Sequence, residues 1–130
     1  MKQEFIIGDI VMYKNRIHTI IDILASNGYE LSYVRHPVSP VRLSGVPLTP
    51  EILEKNGWEF VGGQVDEDGF TWDIYSNRGV LPDLYYYPDG KFSVFMYRKE
   101  VLPDIKYIHQ LQHFLYGLGL NSEMEVQVWK

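Results

Sequence analysis

The chain has 130 residues, with 17 Asp and Glu against 12 Lys and Arg, four His, no Cys and a net charge of −5. Without cysteine there can be no disulfide, thiol nucleophile, iron–sulfur cluster or Cys-rich zinc site, and the composition suits a reducing cytoplasm. An acidic chain without a basic run disfavours a long nucleic acid as partner, and no stretch approaches the ~20 apolar residues that cross a bilayer.

The length suits one domain that folds without covalent staples. Met1-Lys2-Gln3-Glu4 leads into a short strand-like run, Phe5-Ile6-Ile7, rather than the long apolar region of a signal peptide. Tyr, Phe and Trp make up 15% of the residues. Such a content serves either a small β-rich core filled by large side chains or an exposed aromatic surface that binds something.

In chain order, Phe5-Ile6-Ile7 and the Gly8-Asp9 turn precede a strand at Ile10 to Tyr13. Lys14-Asn15-Arg16 is a polar break. Ile17 to Leu24 reads as a strand buried on much of both faces, and Ser26-Asn27-Gly28 as a hairpin turn. Tyr29 to Arg35 alternates like a half-buried strand. Together these predict a small SH3-like β-roll. Residues 36–48, with Pro37, Pro40 and Pro47, form an extended connector. Thr49 then caps a short helix with Pro50 in its first position and Asn56-Gly57 at its end.

Residues 62–100 read as antiparallel β. Gly62-Gly63, Asp66 to Gly69 and Asn77-Arg78-Gly79 are turns. Pro88-Asp89-Gly90-Lys91 joins the strands Leu84 to Tyr87 and Phe92 to Tyr97. Both faces of that hairpin are apolar, so both are covered or one is a docking surface. Pro103-Asp104 is expected to cap a last helix whose Ile105, Ile108, Leu111 and Leu115 face the core. Gly117 and Gly119 end it, and residues 123–129 alternate like a final strand. The fold class expected is α+β: an N-terminal SH3-like β-roll (residues 1–48), then residues 49–130 as a short helix, an antiparallel sheet and a C-terminal helix packed on it.

Two segments, Val46-Pro47-Leu48-Thr49-Pro50-Glu51-Ile52-Leu53-Glu54-Lys55-Asn56-Gly57-Trp58 and Ile105-Lys106-Tyr107-Ile108-His109-Gln110-Leu111-Gln112, accompany the early Ile7-Gly8-Asp9 turn. In these the chain resembles a family of short uncharacterised proteins of gut anaerobes and their phages and prophages. The resemblance covers the general layout but not residues 62–100. It implies no catalytic activity and no cofactor. Because phage accessory genes often serve host takeover or counter-defence, it makes a host or phage protein the expected partner.

The residues themselves offer few chemistries. His109 and His113, four apart on a helix, have the spacing of a metal pair, but Gln110 stands where the helical zinc-protease motif needs Glu. A closed zinc site would draw its other ligands from His18, His36 or carboxylates. The bland alternative makes His109 a partly buried helix residue and His113 a surface one. Asp66, Asp68 and Gly69 hint at a calcium loop, yet Phe70 cannot coordinate, so a hairpin turn is expected. No nucleophile elbow, Walker loop or dinucleotide fingerprint is present.

Trp72, Tyr85, Tyr87, Phe95 and Tyr97 could build an aromatic platform, with Arg78, Arg98 or Lys91 to meet a phosphate. The same rings could instead fill the core. These features favour a non-enzymatic accessory protein of the cytoplasm that binds a protein partner or itself. The alternative is a binder that sequesters a nucleotide-like small molecule in an aromatic cleft.

Overall fold

A computed structural model describes residues 5–25 and 28–126. It is α+β, with two antiparallel sheets and two helices. The chain divides into two compact units, residues 1–47 with 107–130, and residues 48–106.

In the first unit, β1 (Ile10–Tyr13) and β2 (Arg16–Ile23) form a hairpin around Lys14-Asn15. Both turn residues have positive φ, 49° and 63°, as a type I′ turn requires. β3 (Tyr29–Leu31) pairs with β2, and β4 (Ser44–Gly45) returns to β1, giving the order β3-β2-β1-β4. Val38 bridges to Tyr29, and a 3-10 turn at Pro40–Arg42 precedes β4. Val11, Tyr13, Ile20, Leu31, Val38 and Leu43 are buried together in the core of this sheet.

Helix α2 (Ile108–Gly117) completes this unit and packs on β1. The Gln110 side chain accepts the Tyr107 N–H at 2.9 Å, tying down one orphan donor of the first turn. At the other end Leu120 N–H donates to the Leu115 carbonyl and Gly119 N–H to Tyr116, with Gly119 at φ 73°. That is a Schellman stop. Chain passage between the units is marked by two bonds: Ile108 N–H to the Val46 carbonyl and Leu48 N–H to the Lys106 carbonyl, both 2.8 Å.

In the second unit, α1 (Pro50–Lys55) starts as its sequence dictates. Thr49 Oγ1 accepts the Ile52 N–H at 3.2 Å. The helix ends with Gly57 at φ 88° and Trp58 N–H on the Leu53 carbonyl, with both side chains buried at the stop. A five-stranded meander follows: β5 (Glu59–Val65), β6 (Thr71–Asn77), β7 (Val80–Tyr86), β8 (Phe92–Met96) and β9 (Lys99–Ile105), hydrogen-bonded in that order.

Several expectations are corrected. The C-terminal helix belongs to the first unit, not to the sheet of residues 62–100. Pro103-Asp104 does not cap it. Both lie in β9, an edge strand, where Pro forfeits no ladder bond that the sheet needs. Ile105, with its helical spacing, is the buried last residue of that strand. Gly62-Gly63 is no turn but the middle of β5, where the register shifts between Phe60 and Gly62. β3 stops at Leu31, because Ser32-Tyr33 turns with Tyr33 at φ 62°. Ile21 and Ile23 of β2 are exposed rather than buried. Phe5 to Ile7 forms no strand, and residues 121–126 are irregular. The expected turn residues Ser26 and Asn27 and the end of the expected last strand lie outside the described residues.

Candidate functional site

The meander sorts its side chains by register. Ile74 lies opposite Tyr85, Tyr85 opposite Ser93 and Asp83 opposite Phe95, so alternate residues from each strand share a face. One face carries Tyr75, Leu84, Phe92 and Val94, all buried. The charges of Glu54 and Glu51 in α1, which packs on β5, act on the hydroxyl of Tyr75. Burial first, then Glu54, Asp73 and Glu51, push the Tyr75 hydroxyl above its usual pKa.

The other face carries a continuous row of rings. Phe70 contacts Trp72 and Tyr87 at centroid separations of 6.3 and 6.0 Å. Trp72 lies nearly parallel to Tyr85 at 6.4 Å, and Tyr85 stacks on Phe95 at 3.8 Å. Trp72, Tyr85, Tyr87 and Phe95 are half-buried and Phe70 is exposed. Burial raises the Tyr87 hydroxyl's pKa most, and Glu100, Tyr85 and Asp89 add to the rise against a lowering hydrogen bond with Ser93. The Trp72 indole N–H is buried without an acceptor, an unsatisfied donor that costs about 1–3 kcal/mol.

Four of the candidate residues, Trp72, Tyr85, Tyr87 and Phe95, are thus brought together. The other three are not. Arg78 occupies the β6–β7 turn, and Tyr97 and Arg98 the β8–β9 turn. Both turns close the end of the meander opposite Phe70 and Tyr87. Around the aromatic end stand Asp66, Glu67 and Asp68 in the β5–β6 turn and Asp89 with Lys91 in the β7–β8 turn. Phe70 was missed as a member of the row, although it stands two residues before Trp72, the spacing of one sheet face. The Asp66 loop is a turn: Asp66 Oδ1 accepts the N–H of Asp68 at 2.9 Å and of Phe70 at 2.8 Å.

The paired histidines take part in a structural constellation. His113 is not a simple surface residue, for its Nε2 lies 2.6 Å from Oδ2 of Asp9, which is 1% exposed. Asp9 Oδ2 also accepts the Ile6 N–H at 2.9 Å. Desolvation raises the Asp9 pKa overall, though the Ile6 N–H and His113 pull it down. His109 is buried between the rings of Phe5 and Tyr107, with His113 beside it. Gln112, about one turn into α2, accepts from Ile10 N–H and donates to the carbonyls of Gly8 and Ser122. Among the described residues no group of three or more His, Asp or Glu is arranged to hold a metal ion.

The first unit also carries an open groove of about 380 Å³ lined by Ile10, Ile17, His18, Ser32, Met124 and neighbours. The His18 Nδ1–H donates to the Ser32 carbonyl at 2.8 Å. Among the described residues no helix is long and apolar enough to cross a membrane. Compared with known proteins, the chain matches no family model, no curated protein and no solved structure.

Proposed function

We propose that the chain is a non-enzymatic accessory protein, of the phage-associated type it resembles, that takes a protein partner on the aromatic face of its second unit. The observation that carries this reading is the unbroken row Phe70–Trp72–Tyr85–Phe95, with Tyr87 beside Phe70, on the sheet face opposite the buried Tyr75 and Leu84. Rings present large apolar area at low entropy cost and recur at binding hot spots. A non-enzymatic role is supported by how the chemistry-bearing side chains are used: Asp9, Gln112 and His113 are committed to holding α2 against β1. The first unit serves in this reading as an SH3-like roll, supported by the 3-10 turn before a last strand that pairs back to β1. A cytoplasmic setting fits the absence of cysteine.

A nucleotide-like ligand is the weaker reading. Arg78 and Arg98, its expected phosphate partners, stand at the far end of the meander from Phe70 and Tyr87, and Tyr85 and Phe95 already stack on each other at 3.8 Å. Self-association has a feature of its own. The edge strand β5 is exposed along nearly all its length and has no proline, whereas the other edge, β9, is blunted by Pro103 and by Asp104 at φ 58°.

Photo-crosslinking in the source cells tests the main reading. A crosslinking amino acid in place of Tyr87 should give one defined protein adduct, while the same group in place of exposed Val41 of the first unit gives none. The Tyr85→Ala and Phe95→Ala variants, folded by circular dichroism, should lose that adduct. Equal labelling from both positions, or an adduct indifferent to the ring variants, would sink the reading. An adduct with a second copy of the chain would assign the face to self-association.

A further inference from the structure

We infer that the aromatic face recognises a basic segment, one that lays Lys or Arg side chains across the rings. The inference rests on the protein-binding reading and names the partner's chemistry. Its first ground is where the charge sits. The second unit, residues 48–106, holds 11 of the 17 acidic and 6 of the 12 basic residues, so the whole net charge of −5 belongs to the unit that carries the rings. The first unit is balanced.

The second ground is the placement of charges within that unit. Asp83 and Glu100 flank Phe95 on the ring face by register. Glu67, Asp68 and Asp89 lie in the turns at the end of the meander that carries Phe70 and Tyr87; Lys91 shares the turn of Asp89, and Lys106 follows Ile105, the register partner of Phe92, at the same end, while Arg78 and Arg98 occupy the opposite end. The pKa rise at Tyr87 reports part of the same field, from Glu100 and Asp89.

Rings and carboxylates together make a site for cations. An aromatic face attracts an ammonium or guanidinium by its quadrupole, and the aliphatic stem of Lys or Arg covers the ring as the head reaches a carboxylate. A phosphate would meet these carboxylates with like charge. An acidic peptide would be repelled in the same way.

Calorimetric titration of the full chain with three synthetic dodecapeptides tests this: alternating Lys-Thr, alternating Gln-Thr and alternating Glu-Thr. The Lys-Thr peptide should bind about tenfold or more tighter than Gln-Thr, as one or two desolvated cation–π contacts allow, and Glu-Thr should not bind. That preference should shrink severalfold between about 10 mM and about 150 mM salt, as the Debye length falls from about 30 Å to about 8 Å. Trp72→Ala and Tyr87→Ala should each weaken Lys-Thr binding about fivefold or more, whereas Trp72→Phe keeps a ring and most of the affinity. Glu67→Gln with Asp68→Asn should weaken it, and Arg98→Gln should not.

Equal affinity for the three peptides overturns the inference, as does Lys-Thr binding that is blind to the ring variants. Failure of Lys-Thr to bind while the Tyr87-position crosslink persists removes the basic-partner inference and leaves the protein-binding reading standing. Loss of both removes both.

Discussion

His109 lies in α2 with Phe5 and Tyr107 against its ring, 4% exposed, and burial together with neighbouring His113 lowers its pKa to about 4. In the unfolded chain a histidine titrates near 6.5. Between these values the unfolded state binds a proton that the folded state refuses, so stability falls as pH drops from about 6.5 to about 4, by on the order of 2–3 kcal/mol from this residue. Asp9 acts in the opposite sense. Its folded pKa is raised above 3.8, so its contribution worsens as pH rises through the window just above that value. Urea unfolding at successive pH values should show the His109 slope, and His109→Phe, which keeps a ring between Phe5 and Tyr107, should flatten it. An unchanged slope in the variant would assign the acid limb elsewhere. Gln112 is the other residue on which α2 depends. Gln112→Leu keeps the bulk but strips partners from Ile10 N–H, Gly8 O and Ser122 O. A loss of about 2–4 kcal/mol in the same urea measurement is expected. A change below about 0.5 kcal/mol, the scatter of ordinary surface substitutions, would mean that water replaces all three bonds.

At the scale of elements, local chemistry decided what could be foreseen. The start and stop of α1 follow from Thr49, Pro50 and Gly57 alone. The Pro88 to Lys91 hairpin likewise follows from turn residues. β9 was hidden because its turn lacks such a signature: Tyr97 and Arg98 both adopt positive φ, 52° and 66°, with neither Gly nor Asn to favour it. With the hairpin unseen, Pro103 reads as a helix start and Ile105 falls into a false helical period. Replacing Tyr97-Arg98 by Asn-Gly should therefore stabilise the protein, by about 1 kcal/mol, since the backbone geometry is unchanged and the strain is removed. A higher urea midpoint with unchanged slope would show this; a lower one would mean that Tyr97 makes a contact worth more than the strain. The ring row was half legible, since alternation within each strand names Tyr85, Tyr87 and Phe95 as one face. Which face is the buried one does not follow from the alternation, because both faces of the hairpin are apolar. The pairing of His113 with Asp9 spans 104 residues, and no local periodicity carries such a contact.

At the scale of the molecule, the second unit has the form of an insertion. The chain enters it at Leu48 and leaves at Lys106, and these two residues are joined by a 2.8 Å backbone bond. Its ends are therefore adjacent, as in domains that tolerate excision. It holds its own helix and sheet, and Leu53, Trp58, Tyr75, Leu84, Phe92 and Val94 within it are each buried. A unit this small buries only about 60% of its unfolded surface, so its margin is thin. Residues 48–106 expressed alone should nevertheless unfold cooperatively, at a lower temperature than in the full chain. They should keep the preference for the Lys-Thr peptide, because the rings and the carboxylates around them all lie within the segment. If the segment were unfolded by circular dichroism, the paired ends would be no boundary, and the first unit would be contributing to the stability of the sheet. If it folded but lost the peptide, the face would need residues from outside 48–106, and the candidate surface would have to be redrawn around them.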